Sequence, residues 1–217
     1  MTVAEPIPMR SMNALRELRS ADLAEVAAVH RAAFPGYFLT ALGEPFIARL
    51  YREYLATSEI ALVAEQNGQI VGFILGTSDL SAIYRRFYQR NIVFTARTVA
   101  TGFLRDPWLR TAVRSRVGHA VTAVRAITRR QAPSGPLPEG ELGGPELVSI
   151  GILPSAQGSG AAAQLVDALL ENMRDSGEKL CNLSVQIVNE RAIRFYEREG
   201  WERMGVAGDE YRYRYVL

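Results

Sequence analysis

The sequence predicts an α/β protein, and three observations predict it. The apolar run Leu147 to Leu153 is stopped by Pro154, as a buried strand is. A turn rich in small residues, Gly158 to Ala162, follows it and opens a long amphipathic segment. Earlier, two apolar runs meet at Asn67-Gly68, a strong hairpin signal.

In chain order, residues 1–12 hold Pro6 and Pro8 with few apolar side chains and read as a flexible tail. Ala14 to Arg19 suits a short strand. Ser20 or Asp22 then caps a helix whose apolar positions Leu23, Val26, Ala27, His30, Ala33 and Phe34 recur at helical spacing, with Pro35-Gly36 as its stop. His30 on that face reads as a packed core histidine. Tyr37 to Gly43 reads as a loop or short turn. From Glu44, the residues Phe46, Ile47, Leu50, Tyr51, Tyr54 and Leu55 mark one face of a second helix. Ile60 to Glu65 and Gln69 to Thr77 are the strands of the hairpin.

The segment 81–145 is unusual. Loops of about 65 residues are rare unless structured or functional. Ile83, Tyr84, Phe87 and Tyr88 form a helical patch, and Val113, Val117, Ala120, Val121, Val124 and Ile127 a longer stripe. Residues 81–131 hold eleven arginines and one acid, Asp106, in a chain of formal charge +2. Either this is a solvated arginine-rich helical face, or it draws an anionic partner: a membrane surface, an acidic carrier protein or a phosphate-bearing substrate. Residues 132–145, rich in Pro and Gly, read as a flexible return loop.

Further on, Ala163, Val166, Leu169, Leu170 and Met173 line a helix ended by Ser176-Gly177. Leu180 to Val188 reads as a strand. Asn189 caps a helix over 190–199, and Gly200 ends it. Tyr211 to Leu217 alternates strictly and reads as a final strand with three tyrosines on one face.

Composition excludes several classes. Cys181 is the only cysteine, so no intrachain disulfide forms. His30 and His119 stand far apart with no ligand spacing, which leaves a metal site without support. No apolar run approaches the roughly 18 residues of a membrane span, and the N-terminus lacks an apolar signal core, so a cytoplasmic protein is expected. Nucleic acid binding is disfavoured by the near-neutral net charge.

The stretch 146–201 carries the chemistry. Helix-start N–H groups are unpaired and sit at the positive end of the helix dipole, so a strand–loop–helix unit can hold phosphate oxygens. Gly158, Gly160, Ala161 and Ala162 keep side chains out of the way of that approach. No Gly-Lys-Ser/Thr follows, which excludes a Walker loop.

Gln157-Gly158-Ser159-Gly160-Ala161-Ala162 resembles the Gln/Arg-x-x-Gly-x-Gly/Ala loop of the GCN5-related N-acetyltransferase (GNAT) family, which cradles the pyrophosphate of coenzyme A (CoA). Asn189 to Trp201 resembles that family's Asn-x-x-Ala-x-x-Phe-Tyr-x-x-x-Gly-Phe segment, with Trp201 in place of the usual Phe. The resemblance is strong over 146–201, plausible over 13–79 and absent over 81–145. It implies a mixed, mostly antiparallel central sheet flanked by helices in one domain, 13–217, with the 81–145 segment an extra helical insert between strands 3 and 4.

The resemblance also implies direct transfer of an acyl group, acetyl in the first instance, from acetyl-CoA or another acyl-CoA to a primary amine, with no metal. Residues Gln157 to Ala162 would grip the phosphates. Ile150, Gly151 and Ile152 lie where the family's splayed strand polarises the thioester carbonyl, with Gly151 easing the distortion. Tyr196 matches the tyrosine that protonates the leaving thiolate; packing on the sheet is its plainer reading. Glu146 sits where some relatives carry a catalytic glutamate, although the more familiar acidic positions are Val148 and Ser149 here. Asn189 would bond the pantetheine arm or the acceptor, or act only as a cap. Two alternatives accompany this reading: transfer of a longer acyl group from CoA or an acyl carrier protein, and a non-catalytic module that binds CoA or docks on an anionic surface.

Overall fold

The computed structural model describes residues 13–57, 59–105 and 144–217. The elements are β1 (Ala14–Glu17), α1 (Leu23–Ala33), α2 (Phe38–Leu42), α3 (Glu44–Leu55), β2 (Ile60–Gln66), β3 (Gln69–Thr77), α4 (Leu80–Arg105), β4 (Glu146–Ile152), α5 (Ala161–Asp175), β5 (Leu180–Gln186), α6 (Glu190–Arg198), β6 (Glu202–Ala207) and β7 (Glu210–Val216). The strands form one sheet in the order β1-β2-β3-β4-β5-β7-β6. Every neighbouring pair is antiparallel except β4 and β5, which run parallel. This is the mixed, mostly antiparallel sheet with a helix between the third and fourth strands that the sequence predicts.

The hairpin turns where expected. Asn67 (φ 51°) and Gly68 (φ 77°) both take left-handed backbone, the pair a two-residue type I′ connection requires. Other boundaries differ. The segment read as a loop before Gly43 contains α2, a five-residue helix too short to show a periodic stripe. β1 stops at Glu17, because Arg19 already precedes a 3₁₀ turn over Ser20–Asp22. Asp22 does not cap α1 forward; its Oδ2 accepts the Arg19 N–H behind it at 2.7 Å and pairs with Arg16 at 2.6 Å. β5 ends at Gln186, two residues short of the expected end, and α6 ends at Arg198. On α5 the buried stripe runs through Leu165 as well, while Ala163 is half-buried. The strand β6 is not evident in the sequence: all but its last residue are exposed, so it shows no apolar alternation.

Two apolar clusters occupy the two faces of the sheet. Phe73 and Leu75 of β3 point to one, with Val26, Ile47, Leu50, Ile83 and Phe87. Ile74, between them, points to the other, with Leu165, Leu169, Leu183, Trp201 and Tyr213. The period-2 alternation of a strand buried on both sides explains the division. Helix α4 packs on α3 and is part of the first core: Ile83 and Phe87 are fully buried, and Phe87 meets Phe46 edge-on at 5.1 Å. Each such side chain stabilises by about 2 kcal/mol. Asn91 (φ −125°, ψ 24°) kinks α4, and beyond the kink Ile92 and Val93 are exposed. The tail 1–12, the stripe from Val113 to Ile127 and most of the Pro/Gly loop lie outside the described residues.

Candidate active site

The site begins with two irregularities in β4. Its pairing with β3 slips between Leu75 and Gly76: Leu75 faces Ser149 and Gly76 faces Leu147, so Val148 is an extra residue. Such a bulge swaps the faces of the residues after it. Leu147 and Ile150 therefore belong to the α5 side, while Ser149 reaches Tyr51 of α3 and Gly151 meets Phe73 and Phe34. The second irregularity is the edge toward β5. The two strands pair at Glu146 and Asn182 alone and then diverge, leaving the 149–152 end of β4 open on that side.

Gly151 is needed there for a reason other than backbone distortion. Its φ lies outside the left-handed region. A Cβ would stand 2.6 Å from Phe73 Cε1 and 3.2 Å from Phe34 Cε2. The close approach of two aromatic rings, and not an eased bulge, excludes a side chain.

After β4 the chain makes a 3₁₀ turn over Pro154–Ala156 and then the small-residue loop. Gly158 (φ 84°) and Gly160 (φ 89°) both hold left-handed backbone, which L side chains rarely adopt. A Cβ on Gly158 would meet nothing within 4 Å, so the loop is open to a ligand. Ser159 Oγ accepts the Ala161 N–H at 3.3 Å, and the first α5 backbone bond runs from Gln164 N–H to Gly160 O at 3.1 Å. The N–H groups of Ala162 and Ala163 remain at the positive end of a fifteen-residue helix.

This loop forms one wall of a cavity of about 430 Å³. The opposite wall is α6, which presents Arg191, Arg194 and Arg198 with Phe195 between them. These arginines are absent from the sequence-derived candidates. Their spacing of three and four residues places them on one helix face, and that signal was legible. Arg191 Nη1 donates to Gln157 Oε1, so the glutamine holds an arginine. The chemistry fits a nucleotide pyrophosphate: open N–H groups, no side chain in the way, and guanidinium groups opposite.

The remaining candidates are placed as follows. Asn189 Oδ1 accepts the Ala192 N–H at 3.2 Å and is the N-cap of α6. Tyr196 is buried, with its ring 5.6 Å from Trp201 and 6.4 Å from Tyr213. Burial pushes its phenol far above the ordinary tyrosine value, so it stays protonated. Glu146 is buried at the paired end of β4, opposite Thr77 on one side and Asn182 on the other. It stands about 10 Å along the strand from Ser149. Cys181 is buried and unpaired, and burial raises its thiol to about 12, which makes it inert as a nucleophile.

On the other face of β4 lies a polar group that sequence did not connect. His30 Nδ1 and the Tyr51 hydroxyl are 2.6 Å apart, and Ser149 hydrogen-bonds the same hydroxyl. Among the described residues no three His, Cys, Asp or Glu side chains come together as a metal site, and no helix is long and apolar enough to cross a membrane.

Comparison with known proteins agrees with this geometry. The family described as Acetyltransferase (GNAT) matches residues 23–201. Among solved structures, the chain is similar to PaiA N-acetyltransferase from Thermoplasma acidophilum in complex with coenzyme A (14% identity, 95% and 99% of the two chains covered, TM-score 0.56). It is similar also to YncA from Salmonella typhimurium with acetyl-CoA (12% identity, 94% of each chain, TM-score 0.55). SsHAT is a further similar structure (24% identity, 94% and 98% covered, TM-score 0.57). No curated protein matches. The family match spans most of the chain, and the chain belongs to the GNAT acetyltransferase family: it is an N-acyltransferase that takes acyl-CoA as co-substrate.

Proposed function

We propose that the protein moves a short acyl group, acetyl in the first instance, from CoA to a primary amine of a small molecule or peptide by direct attack. The observation that carries this is the cavity between the small-residue loop and the arginines of α6, beside the open edge of β4. Residues Gln157 to Ala162, with Arg191 and Arg194, hold the pyrophosphate. The N–H groups of Ile150 and Ile152, which point to the open edge on either side of Gly151, meet the thioester carbonyl and favour the charge that develops on its oxygen. Tyr196, kept protonated by burial, gives its proton to the departing sulfur. Asn189 fixes the start of α6 and so the direction of its arginines. Glu146 is the carboxylate candidate for the base; from the paired end of β4 it needs a water path to an amine at the open end. One domain, 13–217, does this work, and the setting is the cytoplasm.

The test is thiol release from acyl-CoAs of increasing chain length with a panel of amines. Release that peaks at acetyl supports the proposal. No release from any donor, with CoA bound, contradicts it.

A second reading has its own support. Arg49, Arg90 and Arg97 surround the exposed Ile92 and Val93 at the kink of α4, and Leu80–Arg105 contains no acidic residue. An acidic carrier protein bearing a longer acyl chain, or an anionic membrane surface, suits that basic apolar face. Turnover that rises with chain length, or with a carrier as donor, favours it.

A further inference from the structure

The assigned machinery leaves idle a polar trio, two members of which are buried. Ser149, Tyr51 and His30 come from β4, α3 and α1, and form a continuous hydrogen-bonded chain that ends at the open stretch of β4. Tyr51 and His30 are 2% and 4% exposed, and His30 Nε2 has no partner among the described residues. A buried nitrogen without a partner weakens a fold, so a core alone gives no reason to keep it.

The surroundings of the trio are uncharged. Phe34 of α1 is 4.7 Å from the His30 ring, Phe73 of β3 is 6.1 Å away, and Tyr54 of α3 is 6.3 Å from Tyr51. Tyr84 of α4 also faces Tyr51 and Tyr54. The carboxylates nearby are engaged elsewhere. Glu25 accepts the Ile70 N–H at 2.8 Å, Glu53 pairs with Arg90 at 3.1 Å, and Glu146 is buried three residues back along β4.

We propose that Ser149, held in place by Tyr51 and His30, receives the nitrogen of the acceptor, and that the acceptor is a weakly basic amine, such as an aryl amine, which arrives uncharged. This rests on the acyl-transfer reading above. An alkylammonium ion would have to shed its proton beside Phe34, Phe73 and an uncharged trio, and such surroundings disfavour the cation itself. Burial lowers His30 to about 4, so the trio is neutral and only weakly basic. The nitrogen of an aryl amine, once bonded to the carbonyl carbon, is acidic enough to yield its proton to such a group.

The step balances. The nitrogen lone pair forms the C–N bond, and the C–S bond breaks with its electron pair on sulfur. For this acceptor the trio takes the place of the longer path to Glu146: the surplus N–H proton passes to Ser149 Oγ, as the Ser149 proton moves to Tyr51 and the Tyr51 proton to His30 Nδ1. Sulfur takes its proton from Tyr196; after the products leave, the His30 proton runs back through Tyr51 to Ser149 and out to solvent, and Tyr196 takes one back, so both groups regain their starting state. Ser149 is the residue that touches the substrate; Tyr51 and His30 position it and carry its proton onward.

The experiment uses the full chain with acetyl-CoA, comparing an aryl amine with an alkyl amine of similar size. Thiol release, CoA affinity and thermal stability are measured for wild type, Ser149→Ala, Ser149→Thr and Tyr51→Phe. The expected kcat/KM favours the aryl amine about tenfold. Ser149→Ala lowers kcat about 100-fold with CoA affinity unchanged. Ser149→Thr, which keeps the hydroxyl, restores most of the rate, and folded Tyr51→Phe follows Ser149→Ala. Preference for the alkyl amine, or full activity in Ser149→Ala, overturns this proposal and leaves acyl transfer standing. A wild type that binds no CoA, or releases no thiol, overturns both.

Discussion

Arg191 of α6 donates to the side-chain carbonyl of Gln157, 34 residues earlier in the loop before α5. The bond ties together the two walls of the cavity proposed to hold the nucleotide. It also gives the glutamine a role in the proposed site, which is to aim a guanidinium at the phosphates. Gln157→Ala should therefore raise the KM for acyl-CoA severalfold and leave kcat unchanged, the signature of lost uniform binding. Steady-state kinetics with the donor varied checks this.

Gly151 lies where a Cβ would press on Phe73, a fully buried ring that cannot swing aside. Gly151→Ala should lose roughly 1–3 kcal/mol of stability by overpacking. Urea unfolding measures it. The double variant Gly151→Ala with Phe73→Leu should recover part of the loss, because the two changes share one space.

Tyr196→Phe separates catalysis from packing. The ring stays against Trp201, and only the hydroxyl goes. The expected outcome is a fall in kcat of about 100-fold or more with CoA affinity and melting temperature nearly unchanged. Because burial raises the phenol, the wild-type rate should show no decline at the ordinary tyrosine range near 10. A variant as fast as wild type would leave Tyr196 a packing residue.

Much of this was legible in the chain. The hairpin announced itself because Asn67-Gly68 satisfies a local backbone requirement, and the loop before α5 because Gly158 and Gly160 satisfy another. Where the determinant is not local, the sequence was silent. Nothing in an exposed strand such as β6 alternates. The trio of His30, Tyr51 and Ser149 draws on residues from two helices and a strand, and only the bulge at Val148 turns Ser149 to the correct face. The rings that keep Gly151 bare, Phe73 and Phe34, are distant in the sequence, so the sequence alone offered only backbone distortion as a reason for a glycine there.

Asp22 offers a test of the packing of β1 and α1. Its hydrogen bonds with Arg16 hold its carboxyl below the usual range, and the Arg19 N–H adds to this. A depressed carboxyl stabilises the fold above its unfolded value, about 3.9, and that contribution is lost as pH falls through the lower folded value. Wild type should melt above Asp22→Asn at pH 6, and the gap should close as pH drops below about 3.9. Melting curves across pH 6 to 2 (a range of about four units) show whether it does.

The central claim is that acyl-CoA is held between the loop and α6. The most direct measurement is calorimetric titration of CoA into wild type and into a variant with Arg191, Arg194 and Arg198 all changed to alanine. All three are exposed, so the variant should fold. The account predicts binding by wild type and an affinity lower by about 30-fold or more in the variant, as the loss of charge-assisted bonds to phosphate requires. Equal affinity in the two proteins would contradict it.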